Sequence, residues 1–197
     1  QAPRPAARQL SMGDSDDLPG RLRRLEDRQA ILDCVTRLAR GLDRHDADLV
    51  RSAFHDDALV NISEFTGTVA EFVAWSRAGH EKLYGGHTHN ITNHNCEIDG
   101  DTAHAESYVL MVLRHRDGKL VTVAGGRYID RLERRDGEWR IALRRLAPDW
   151  RFTADGSVWN PDRPGIPFGT RDRGDISYDR PLTLPPGLQA KLKKGGA

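Results

Sequence analysis

Cysteine is scarce. Cys34 and Cys96 are the only two in 197 residues. Two thiols do not make a disulfide framework, and neither belongs to a Cys-x-x-Cys metal pair. Both are expected to stay reduced, as in a cytoplasmic protein. Long apolar runs are missing too. None approaches the ~18 residues of a membrane span, and no signal-peptide core is present, so a membrane is not expected as a partner. Charge of one sign is also lacking: Lys+Arg 30 against Asp+Glu 29 leaves +1. That balance has none of the basic excess that nucleic-acid binders carry. What remains is a small-molecule ligand and further copies of the same chain. The length suits one domain with tails.

What is present is periodic. Residues 1–17, rich in Pro, Ala, Ser and Asp, read as a flexible tail. In "LPGRLRRLEDRQAILDCVTRLARGLDRHD" an apolar stripe recurs at Ile31, Leu32, Val35, Leu38, Ala39 and Leu42, which predicts a long helix. Asp46 can cap a short second helix, "ADLVRSAF". "DALVNISEF" reads as a strand. "TVAEFVAWSRAGHEKLYGG" reads as a third helix with a glycine stop at Gly85. From Gly86 the texture changes. Asp99-Gly100, Asp117-Gly118 and Asp136-Gly137 separate runs rich in Val, Ile, Tyr, Trp and Thr, the pattern of tight hairpins. Residues 87–147 therefore read as four antiparallel strands in a meander. Gly125-Gly126 inside one of them predicts a bulge or bend. No internal repeat is visible. After Trp150 the chain becomes Pro-, Gly- and Arg-rich; Trp159, Ile166, Phe168 and Tyr178 could pin residues 152–197 over the domain or onto a neighbouring subunit. Helices followed by a bent antiparallel sheet give an α+β class, a cone wrapped around the N-terminal helices with a pocket at its open end.

The densest chemistry lies in "GGHTHNITNHN", residues 85–95. Strand alternation puts His87, His89, Ile91, Asn93 and Asn95 on one face and His94 with Cys96 on the other. A His-x-His pair on a strand can chelate a transition metal. The start of the cupin metal motif looks similar. That motif continues with a glutamate four or five residues on, where this chain has Asn93 and His94, so no metal is expected. Proton transfer is the other reading: a histidine base needs an acid to fix its tautomer. Asp43, four residues after Ala39 and eleven after Leu32, lies at the edge of the helical stripe, near the helix end.

The segments 25–60, 87–112 and 125–150, within residues 20–151, resemble the SnoaL-like branch of the nuclear-transport-factor-2-like superfamily. The domain so defined is 18–151. The resemblance implies the cone fold. Its scytalone dehydratase, bile-acid 7α-dehydratase and hexachlorocyclohexane dehydrochlorinase members imply an aspartate–histidine dyad, which falls on Asp43 and His89. An arginine on the last strand that supports a leaving group falls on Arg144, with Arg145 facing the other way. The electrophile that such members carry five residues before the aspartate is replaced here by Leu38. His87, Tyr84, Asn93, Ser107 and Arg144 are the candidates to take its place.

The expectation is a cofactor-independent lyase acting on a small aromatic or alicyclic substrate by dehydration, a related elimination or retro-aldol loss of a small aldehyde. An isomerase is a neighbouring possibility. Val35, Leu38, Leu42, Phe54, Phe72, Trp75, Val109 and Met111 supply either the pocket wall or plain core. The rivals are a non-catalytic binding or assembly module and a metalloenzyme using His87 and His89. A homo-oligomer, trimer or dimer, is expected from the broad outer face of the sheet.

Overall fold

The computed structural model describes residues 17–157 and 169–184. The remaining tail residues and the anchors Trp159, Ile166 and Phe168 lie outside the described residues. The elements run α1 (Leu18–Asp43), α2 (Ala47–Arg51), β1 (Phe54–Ile62), β2 (Phe65–Thr68), α3 (Val69–Leu83), β3 (Tyr84–Asp99), β4 (Thr102–His115), β5 (Leu120–Arg135) and β6 (Glu138–Asp155), with a 3-10 turn at Ile176–Tyr178.

The ends of α1 are set by local chemistry. The Asp17 carboxylate accepts from the Gly20 N–H, and Pro19 sits in the first turn, where its missing N–H costs nothing. The stripe buries Ile31, Cys34, Val35, Leu38, Ala39 and Leu42. The helix ends at Asp43; His45 turns the chain with a positive φ of 50°, and the Asp46 side chain caps α2 through the Leu49 N–H. Helix α3 opens with a Thr68–Glu71 capping box, which satisfies two helix-end N–H groups reciprocally.

The sheet has the order β2-β1-β6-β5-β4-β3. It is curved and unclosed, with helices on one face: an α+β cone. Three expectations need correction. The segment "DALVNISEF" is not one strand; it breaks at Ser63, whose φ is 52°, into the β1–β2 hairpin. Helix α3 stops at Leu83, and Gly85 and Gly86 already belong to β3. The sheet is not wholly antiparallel, because β1 pairs with β6 in parallel. These two strands are joined through α3 and the whole meander, so no tight turn forces them to run oppositely.

The core fills the narrow end of the cone. Ile31 and Leu38 from α1 meet Val60, Leu132, Ile141 and Trp139 from the sheet and Phe72 from α3. Asp27 closes this end by accepting from Trp139 Nε1 (2.8 Å) and Arg134 Nη1 (2.9 Å). Two irregularities shape the other end. The β5–β6 register shifts at Gly125/Gly126. A Cβ on Gly125 would fall 2.4 Å from the Trp150 indole, so glycine is what lets that ring lie across the strand. The second is a bulge in β3, where the pairing steps from Ile91↔Val109 to His94↔Ser107: three residues on β3 against two on β4.

Candidate active site

The end of α1 and the first half of β3 meet at one carboxylate. Asp43 accepts the His89 backbone N–H on both oxygens (3.1 Å each) and the His89 Nδ1–H on Oδ1 at 2.7 Å. The backbone contact fixes the height of β3 against the helix end. The ring contact fixes the tautomer, because a carboxylate only accepts. Nε2 is left with its lone pair. The His89 side chain is 4% exposed and that of Asp43 15%, so the pair is shielded without being sealed.

His89 lies in the wall of a cavity of about 600 Å³, within the range of small-molecule sites. Its apolar lining includes Phe72, Trp75, Leu83, Met111, Leu113, Leu146 and Trp150; its polar lining includes His80, Tyr84 and Tyr128. On the other side of the dyad is a more open recess of about 430 Å³, bordered by Arg40, Asp43, Arg44, His89 and Asn90. Residues 169–184 tether its two arginines. Arg40 donates to Ser177 and lies 4.9 Å from the Tyr178 ring, and Arg44 pairs with Asp175 at 3.4 Å. Tyr178 in turn donates to Asp46 at 2.8 Å.

Beside the dyad stand three more imidazoles. His87 donates from Nε2 to the Leu42 carbonyl (3.1 Å). Its ring centre lies 4.1 Å from that of His80 and 5.4 Å from that of His45. Burial pushes His80 down to about 2 and His87 to about 4, and neighbouring imidazoles add to the effect. Both are neutral at neutral pH.

Deeper in the cone is a buried ion pair. Arg144 donates to Asp130 through Nε (2.7 Å) and Nη2 (2.6 Å), with both side chains essentially sealed from solvent. The guanidinium lies 4.1 Å from the Tyr128 ring centre. Burial pushes the Tyr128 phenol up to about 12, so it keeps its proton and remains a donor. Among the described residues nothing hydrogen-bonds its hydroxyl.

The expected site residues therefore divide. Asp43, His89 and His87 converge, and Tyr84, Trp75 and Met111 line the cavity. Leu38 and Val109 do not line it; Leu38 is fully buried among core side chains, and Val109 is buried as well. Ser107 is sealed in the interior against His94 Nδ1 at 2.8 Å. Asn93 is exposed. The bulge shifts the alternation by one residue, so Asn93 leaves the inner face and His94, expected outside, turns in. Arg144 touches the site only through Tyr128, because its hydrogen bonds run to Asp130. Arg145 is exposed, on the opposite face as expected.

His80, His45, Tyr128 and Asp130 were not singled out in the sequence. Signals existed for two elements. His80 follows Phe72 and Ser76 at intervals of four, on one face of α3. Tyr128 and Asp130 alternate with buried Leu132 on β5. The β3 bulge has no comparable signal.

A curved, unclosed sheet with helices on one face is the architecture of nuclear-transport-factor-2-like proteins. The chain belongs to the SnoaL-like domain family, whose model matches residues 23–145. It is similar in structure to a candidate scytalone dehydratase from Novosphingobium aromaticivorans (20% identity, TM-score 0.60, covering 66% of this chain and 88% of that one). It is similar to a type 3 hexachlorocyclohexane dehydrochlorinase from Novosphingobium barchaimii LL02 (22%, TM-score 0.63, 75% and 97%). A protein of unknown function from Mycobacterium tuberculosis is also similar (25%, TM-score 0.58, 64% and 74%). No curated protein sequence matches the chain. Among the described residues no helix is long and apolar enough to cross a membrane.

Proposed function

We propose that this protein is a cofactor-independent lyase whose base is His89 Nε2, oriented by Asp43. The observation that carries this reading is the 2.7 Å Nδ1–Oδ1 contact at the wall of the 600 Å³ cavity. It fixes the tautomer that leaves Nε2 unprotonated on a residue of that wall, and positioned general bases contribute about 10²–10⁴-fold. The dehydratase and dehydrochlorinase among the structural relatives are consistent with eliminations in this fold.

In such an elimination Nε2 takes a proton from the carbon next to the one bearing the leaving group. The C–H electron pair becomes the C=C bond, and the leaving group departs with its own pair. A departing hydroxyl accepts a proton from Tyr128 or from the His89 imidazolium and leaves as water. If the proton comes instead from a hydroxyl one carbon further out, its electrons form a carbonyl. The intervening C–C bond breaks to supply the C=C bond, and a small aldehyde is released. Tyr128, a protonated donor in the cavity wall, takes the part that the position of Leu38 cannot. Arg144 acts as a positioning residue beneath it.

The test is incubation of the purified chain with scytalone, hexachlorocyclohexane and a set of aromatic diols. Mass spectrometry follows loss of water, hydrogen chloride or formaldehyde. Turnover that disappears in His89→Ala and Asp43→Asn, with circular dichroism unchanged, is the expected result. Undiminished turnover in either variant refutes the mechanism.

A further inference from the structure

The histidines that the dyad does not use are arranged as ligands. One ligating atom from each of His45, His80 and His87 lies within 4.8 Å of the others. These residues come from three elements: the α1–α2 turn, α3 and β3. Two of the rings are already oriented from behind. The Leu42 carbonyl holds His87 Nε2, which leaves Nδ1 as the lone pair; that nitrogen is buried with no partner, on a side chain with no exposed surface. The Glu81 carboxylate lies 3.6 Å from His45 Nδ1, and His45 Nε2 is likewise buried with no partner. A carbonyl or carboxylate behind each imidazole is the outer-shell arrangement that fixes metal-binding histidines. Two orphaned buried nitrogens beside a third imidazole are otherwise hard to reconcile with the cost of leaving polar atoms unpaired.

We propose that His45, His80 and His87 form a binding site for a divalent transition metal of the zinc class. Its open coordination position would face the cavity that His80 lines. Zinc–nitrogen bonds of about 2.0–2.1 Å put two ligands of a tetrahedral ion roughly 3.4 Å apart. The triad needs to close by at most about 1.4 Å from its outer limit, within the reach of small side-chain rotations. Three neutral nitrogen donors and no thiolate suit zinc, cobalt or nickel over calcium or magnesium. Asp43, His87 and His89 form a competing set, also within 4.8 Å. There Asp43 and His89 are already bonded to each other, and a metal would have to break that contact. The site does not depend on whether His89 acts as a base.

The test uses full-length protein freed of metal with chelator and titrated with Co²⁺, whose visible absorption reports four-coordinate nitrogen ligation. Zn²⁺ competition and elemental analysis give the stoichiometry. One equivalent per chain is expected, with affinity falling at least about tenfold, as for the loss of supporting groups, in both His80→Gln and His45→Asn. Asparagine is chosen at 45 because it tolerates the positive φ. Thermal melts of the metal-free variants verify folding, and Asp43→Asn is expected to retain binding. Absence of a bound equivalent in the wild type overturns the site. So does binding that survives both histidine substitutions, or that Asp43→Asn abolishes. Turnover lost in His89→Ala with cobalt binding intact separates the two proposals.

Discussion

Two carboxylates in this molecule each hold a side chain from another element, and the two contacts leave different groups free. Beneath the cavity wall Arg144 meets Asp130 through two hydrogen bonds of 2.7 and 2.6 Å, and neither side chain reaches solvent. Both Asp130 oxygens are engaged by the guanidinium. At the open end Asp43 meets His89 through one ring contact, and a ring nitrogen is left over at a cavity wall. Both pairs join neighbouring elements, but only the second leaves a ring nitrogen that the pair itself does not use. Removing charge from the first should damage the fold, and removing it from the second should damage chemistry.

His89→Ala is the sharpest way to break that contrast. Turnover should fall by about 10²–10⁴-fold with little change in melting temperature, read by steady-state kinetics and calorimetry. Asp130→Ala should do the reverse. Leaving Arg144 buried and unpaired costs about 3–5 kcal/mol, measured by denaturant unfolding. Wild-type stability in Asp130→Ala would show that the pair does not hold β5 to β6. Tyr128→Phe connects the two regions. It removes a donor from the cavity while leaving the ring under Arg144, so kcat should fall about tenfold, roughly the 1.4 kcal/mol of one donor, with stability nearly unchanged.

A further test is in pH. His80 and His87 are held down to about 2 and about 4 by burial, against about 6.5 in an unfolded chain. Below about 6.5 the unfolded chain takes up protons that the folded one refuses. Their contribution to stability is therefore complete above that value and declines as pH falls toward 4. The groups around them are His45, His89, Asp43 and Arg171. The melting temperature of metal-free protein should drop on acidification from about pH 7 to 5, and His80→Gln should flatten that slope. A wild-type curve that stays level would show that the imidazoles accept protons in place.

Much of the fold was legible because its signals are local. The 3.6-residue stripe of α1, the Asp46 cap and the three Asp-Gly turns each involve side chains a few residues apart. The Gly125-Gly126 irregularity was equally visible, since two glycines in a strand have few other reasons to be there. The parallel β1–β6 pair was not legible, because the strands are far apart in the chain and no turn encodes their direction. At the site, Asp43 was placed at the stripe's edge by counting, and its contact with His89 was implied only by resemblance.

The sequence alone determined which residues lie on each helix face and where the chain reverses, because those depend on backbone periodicity and turn geometry. The tertiary structure decided which face of β3 each half presents. A single extra residue near Asn93 turned that side chain out and His94 in, and strand alternation cannot register an insertion that only the partner strand reveals. It also decided that Arg144 is held by Asp130, and that His45, His80 and His87 meet. Those three come from separate elements, and only packing brings their rings within reach of one another.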